Sequence, residues 1–170
     1  RRSCRPCSGS RAGRGPRADG RTGQGMQAAA ADAGAEPDCV LEGKVWIGPA
    51  EAATSRPQRL LDLGISHVVN CTQDAECAFP ELFQYLRVPV ADHPDEPIGA
   101  HFEGALRFVR AALDGGGRVL VHCHAGVSRS GAVGILCVMA LAGLSLREAY
   151  LRVVARRPCV QPNLGLLGLL

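Results

Sequence analysis

The chain has 170 residues, 46% of them hydrophobic, and a formal charge of +3, which suffices for one buried core and a single domain. Its one lysine, Lys44, excludes a Walker-type nucleotide loop, which needs G-x4-G-K-[ST], so any phosphate bound here falls to arginine and backbone amides. No run of about 18 purely apolar residues occurs, and no membrane span is expected.

The charge is unevenly spread. Residues 1–25 carry seven Arg and one Asp, a balance of +6, which leaves −3 for residues 26–170. Residues 1–38 are rich in Arg, Gly and Ala and nearly lack large apolar side chains. Such a stretch cannot bury enough surface to offset its ordering entropy, so it reads as a disordered arm. It could meet nucleic acid or an anionic surface, although a solvated tail is the plainer reading. Met26 is the first methionine, and residues 1–25 are expected to be an extension outside the working protein. Cys4-x2-Cys7 has zinc-ligand spacing, but no second pair answers it, and it reads as part of the arm.

From Leu41 the pattern becomes globular. Val45-Trp46-Ile47-Gly48 predicts a first strand, and Arg56 to Leu63 a short helix stopped by Gly64. Ile65 to Asn70 predicts a second strand and, after a polar loop, Tyr85 to Val90 a third. Apolar residues at 98, 102, 105, 106, 109 and 113 share one helix face, which Gly115-Gly116-Gly117 ends. Arg118 to His122 then reads as a central buried strand. Ser130 to Ala142 is apolar nearly all round and predicts a buried helix. Ser145-Leu146-Arg147-Glu148 has the form of a capping box, opening a helix to about Ala155 before Pro158. Alternating strands and helices predict an α/β fold with a central, mostly parallel sheet flanked by helices. Ligands of such sheets bind at the carboxyl ends of strands.

One such end carries the chemistry. In Val121-His122-Cys123-His124-Ala125-Gly126-Val127-Ser128-Arg129-Ser130 a strand ends at a cysteine and a helix begins near Arg129. The amides of His124, Ala125, Gly126, Val127, Ser128 and Arg129 in a tight loop at a helix N-terminus form a nest for an anion. The same field lowers a thiol pKa, and the thiolate is the nucleophilic form. Arg129 adds a planar fork able to hold two phosphoryl oxygens. Gly126 permits a turn that a β-carbon would hinder. Cys123 is thus the candidate nucleophile, with a buried structural cysteine as the plainer alternative.

The H-C-x5-R-S spacing resembles the signature loop of the cysteine-dependent phosphatases, in the form used by the dual-specificity protein phosphatases. The likeness runs from about Val45 to Gly165. It takes in Leu63-Gly64-Ile65-Ser66-His67-Val68-Val69-Asn70, Tyr85-Leu86-Arg87-Val88-Pro89-Val90-Ala91-Asp92, Arg157-Pro158 and Pro162-Asn163-Leu164-Gly165. The resemblance implies a small, stand-alone catalytic domain over residues 39–170 that forms a cysteinyl-phosphate and needs neither metal nor cofactor. Asp92, in Val88-Pro89-Val90-Ala91-Asp92, matches the family's general acid, 31 residues before Cys123, with Asp95 and Glu96 as alternatives in the same loop. Ser130 is expected to donate a hydrogen bond to the cysteine sulfur, or else to cap the helix. The resemblance gives His122 the task of ordering the loop through hydrogen bonds, and Asn163 that of bracing it.

Lipid-directed relatives place lysines inside the loop. Here the variable positions are His124, Ala125, Val127 and Ser128, which favours phosphoprotein substrates, on Tyr or Ser/Thr, over phosphoinositides. No nucleic acid is expected at the catalytic domain. An alternative is a module that binds phosphorylated partners without turnover, or an inactive truncated phosphatase. The family continues P-N-x-G-F-x-x-Q-L into a last helix, but Leu166 stands for the Phe, Gly168 for the Gln, and the sequence ends at Leu170. An apolar end with no helix over the core is therefore expected, leaving a marginally stable domain or one covered there by a partner or second copy. Eight cysteines without an apolar signal segment, and a thiolate chemistry that needs reducing conditions, point to the cytoplasm, with the nucleus as a further option.

Overall fold

A computed structural model describes residues 35–170; the arm before them, with Cys4-x2-Cys7 and Met26, lies outside the described residues. The described chain folds as strands β1 (Asp38–Leu41) and β2 (Val45–Pro49), helices α1 (Ala50–Ser55) and α2 (Pro57–Asp62), and strands β3 (His67–Asn70) and β4 (Gln84–Arg87). Then come α3 (Gly99–Asp114), β5 (Val119–Cys123), α4 (Arg129–Ala142), α5 (Leu146–Arg156) and α6 (Leu164–Gly168). The sheet runs β1-β2-β5-β3-β4, parallel throughout except for β1, which pairs antiparallel with β2. This is the α/β architecture that alternating elements dictate.

Alternation along the strands sorts side chains into two cores. Val45, Ile47, Val69, Val119, Val121 and Cys123 face α3, α4 and α5, whereas Trp46, Val68 and Leu120 face Leu60 and Ile65 on the α2 side. β5 is buried at all five positions, as its apolar run requires of a strand covered on both faces. Helix α4 is buried nearly all round, and Gly134 brings its backbone against Ile47 of β2. Ser145 and Glu148 close the expected capping box, Ser145 Oγ accepting from Glu148 N at 3.4 Å and Glu148 Oε2 from Ser145 N at 2.9 Å. No single described helix is long and apolar enough to cross a membrane.

Three elements escape the sequence patterns. β1 is a four-residue edge strand broken by a bulge, and α1 begins directly at the end of β2. The third is α6, where the structure corrects the expectation of an uncovered core. Asn163 Oδ1 accepts from Leu166 N at 3.0 Å and starts a five-residue helix that buries Leu166 completely. Leu164 on the same turn stays 85% exposed. β4 also ends earlier than expected, at Arg87: after Val88 N donates to Asn70 O, the next donor in register, Val90 N, turns back to Val88 O at 2.9 Å instead of reaching β3.

Candidate active site

β3 and β5 end side by side, Asn70 opposite His122, and both feed loops on the same edge. Cys123 is the last residue of β5, 2% exposed, and Ser130 in the first turn of α4 is fully buried. Cys123 Sγ and Ser130 Oγ lie 3.1 Å apart. The helix N-cap is Ser128, without a side-chain cap bond, so Ser130 serves the sulfur and not the cap.

Between them, the loop carbonyls are held from outside. His124 O accepts from Ala50 N at 3.1 Å, and Val127 O from Gln161 N at 3.1 Å. Arg157 reaches Gly126 O through Nε at 2.9 Å and Ala125 O through Nη2 at 3.4 Å. In a trans peptide the N–H points opposite to the C=O. Carbonyls drawn outward at 124, 125, 126 and 127 therefore aim the amides of Ala125, Gly126, Val127 and Ser128 inward, to a common point beside Cys123. Gly126 has φ +69°, and a Cβ there would lie 2.6 Å from Gly48 C and 2.7 Å from Arg157 Nη2. The glycine is required both by conformation and by contact.

Arg129 is 7% exposed, its Nη1 donating to Val90 O at 3.0 Å. Its Nε is buried with no hydrogen-bond partner and stands 3.8 Å from Asp92 Oδ2. That donor is thereby available to an oxyanion in the cradle. Asp92 Oδ1 accepts from Ser128 Oγ at 2.6 Å and from Asn163 Nδ2 at 2.9 Å, and Asn163 N donates to Ser128 Oγ at 3.2 Å. Asn163 thus ties the start of α6, the loop serine and the candidate acid together. Of the alternatives, Asp95 is 92% exposed beside His93, and Glu96 N donates to His93 O within the same turn.

His122 differs from expectation. Its ring is fully buried, and neither nitrogen makes a hydrogen bond of ordinary geometry, so it supports the loop by packing. Desolvation lowers its pKa to about 4, against the opposing pull of the Cys123 peptide. The unfolded ring takes up a proton below about 6.5 while the folded one stays neutral until about 4, so its stabilising contribution is whole above that range and lost as pH falls through it. Acidification from pH 7 to 4 should remove up to about 3 kcal/mol through this residue. Denaturant midpoints should show that part of the slope missing in His122→Gln; an unchanged slope would exclude it.

Arg157 carries no signal of its own in the sequence beyond the Arg-Pro pair. It is 1% exposed, and besides the loop carbonyls its Nη1 donates to Glu36 O at 3.0 Å and to Asp38 Oδ2 at 2.7 Å. His124 is also engaged, with Nε2 2.8 Å from Asp74 Oδ1.

The family model described as "Dual specificity phosphatase, catalytic domain" matches residues 45–170. Serine/threonine/tyrosine-interacting protein B of Xenopus laevis is 38% identical over 127 residues, covering 71% of this chain and 57% of the relative. Human dual specificity protein phosphatase 14 is 36% identical over 125 residues, covering 74% and 63%. The chain therefore spans less than two thirds of the length of these curated relatives. A mouse putative dual specificity phosphatase, solved as a complex with zinc tungstate, superposes with TM-score 0.75 at 34% identity, covering 79% of this chain and 84% of that one. With its strand–loop–helix centred on Cys123 and a matching model from β2 to the last residue, the chain belongs to the dual-specificity phosphatase catalytic-domain family.

Proposed function

We propose that this domain is an active protein phosphatase that hydrolyses phosphotyrosine and phosphoserine/phosphothreonine monoesters through a cysteinyl-phosphate. The observation that carries the reading is the set of outward-held carbonyls from His124 to Val127, which turns four amides toward Cys123 Sγ with Arg129 Nε beside them, free of any hydrogen bond and 3.8 Å from Asp92 Oδ2. Such a cradle stabilises the equatorial oxygens as charge redistributes during transfer.

The Cys123 thiolate attacks phosphorus, forming an S–P bond as the P–O bond to the substrate side chain breaks. Asp92 gives its proton to the departing oxygen. Oδ1 is held by Ser128 and Asn163, so Oδ2 is the oxygen left to carry that proton. Asp92, now a carboxylate, takes a proton from water as the water attacks phosphorus and the S–P bond breaks. Ser130 Oγ, 3.1 Å from the sulfur, stabilises the returning thiolate. The variable loop positions bring no lysine or arginine to grip further phosphates, which supports phosphoproteins as the substrate class.

Asp92→Asn should lower kcat about 10²- to 10⁴-fold on phosphothreonine peptides, whose alkoxide needs a proton, and far less on an aryl phosphate with a good leaving group. Equal losses on both substrates would remove Asp92 from the acid role. A second reading rests on relatives named as interacting proteins: a module that binds phosphopeptides without turnover. Phosphate release from phosphotyrosine and phosphothreonine peptides by the folded wild type decides between them, and binding without release favours the module.

A further inference from the structure

His124 directly follows the nucleophile, and its side chain leaves the loop. Its Nε2 meets Asp74 Oδ1 at 2.8 Å across 50 residues of sequence. Both side chains are well exposed, 50% and 74%, so general packing does not impose the contact. It is imposed by the turn that presents Asp74.

That turn is built on two fully buried polar side chains, Asn70 and Thr72. Asn70 Oδ1 accepts from Thr72 N at 3.1 Å and Thr72 Oγ1 at 2.6 Å, and its Nδ2 donates to Ala75 O at 2.9 Å. Ala75 N donates to Thr72 Oγ1 at 3.1 Å, and Arg87 Nη2 to Gln73 O at 2.9 Å. Asn70 sits opposite His122 in the sheet, so the turn and the catalytic loop leave neighbouring strand ends. His124 is consequently gripped twice, its carbonyl by Ala50 N and its ring by Asp74.

We infer that Asp74 is a positioning residue for the phosphate cradle: by holding the His124 ring it fixes the entry of the catalytic loop and strengthens phosphoryl binding without taking part in the chemistry. The pairing also masks a carboxylate. The hydrogen bond from His124, helped by nearby backbone amides, holds Asp74 below the ordinary carboxylate range. An unmasked anion at this rim would repel a phosphate dianion. Asp74 therefore helps the cradle only while His124 is present and opposes it when His124 is gone.

The inference rests on the phosphate-binding half of the proposed function, and binding of inorganic phosphate and tungstate to the full chain, by titration calorimetry, tests it apart from turnover. Asp74→Ala should weaken both about two- to fivefold, the range of an exposed polar contact to a carboxylate, and raise KM for an aryl phosphate equally, with kcat within about twofold. Asp74→Asn, which keeps an acceptor for the ring, should recover most of the loss. In a His124→Ala background the same Asp74→Ala change should reverse sign and tighten phosphate binding, as a double-mutant cycle reads directly. Unchanged affinity in Asp74→Ala, or the same loss with and without His124, overturns the inference. Phosphate binding with no turnover in the wild type would instead sink the phosphatase reading and leave this one to stand on the affinities.

Discussion

Cys123→Ser releases no phosphate from an aryl phosphate or a phosphopeptide, with kcat lower by about 10⁴-fold or more. A hydroxyl attacks phosphorus only if a base takes its proton, and at that step Asp92 is in its acid form, committed to the departing oxygen. The neighbour at 3.1 Å is another hydroxyl, Ser130 Oγ, and Asp92 Oδ1 is engaged by Ser128 and Asn163. Serine has nearly the volume of the cysteine it replaces, so the cradle and its affinity for inorganic phosphate should persist. The loss would then appear in kcat, with phosphate binding and the thermal midpoint close to wild type. Turnover surviving in Cys123→Ser would reject the covalent mechanism altogether.

Arg157→Ala should be the most damaging substitution away from the nucleophile. The guanidinium is 1% exposed and serves Gly126 O, Ala125 O, Glu36 O and the Asp38 carboxylate. Removing it leaves loop carbonyls without a donor and Asp38, 38% exposed, without its cation. Breaking a buried ion pair of this sort costs on the order of 3 kcal/mol, less whatever water repays to Asp38. The expected result is a fall in the urea midpoint, together with at least about a tenfold loss of phosphate affinity in the fraction still folded. Arg157→Lys should restore part of the stability but not the affinity, since one ammonium cannot reproduce a fork that spans two loop carbonyls and a strand. Full affinity in Arg157→Lys would show that charge alone shapes the loop.

The parts of the site legible beforehand are those encoded by local spacing. Cys123, Arg129 and Ser130 lie within eight residues, and strand-then-helix patterning around them sufficed to place the cradle. The capping box at Ser145 was readable for the same reason. Asp92 was reached through the Val-Pro-Val-x-Asp resemblance, because a loop carboxylate has no periodicity to betray it. Arg157 is not legible as a brace: its partners lie 31 residues away in the loop and 119 away at Asp38, and the second of two arginines before a proline reads as surface. Asp74 was hidden likewise, because the turn that aims it depends on the buried side chains of Asn70 and Thr72. α6 is not legible because a five-residue helix has no periodicity of its own, and Leu166 and Gly168 depart from the family's closing pattern. Asn163 as cap and Leu166 as anchor were the counter-signal. His122 shows the opposite error, a role expected through hydrogen bonds and met through burial.

The reach of Arg157 has a kinetic side. Its bond to Glu36 O closes a sequence separation of 121 residues, and the one to Asp38 a separation of 119. Contacts of that range are slow to form, because a long loop must close before they return any energy. The arginine that braces the catalytic loop has its full set of partners only when the segment at Glu36 and Asp38 has docked on it. Catalytic competence during refolding should therefore lag behind secondary structure and core burial, and recovery of phosphate binding becomes a direct clock for the last event in assembly.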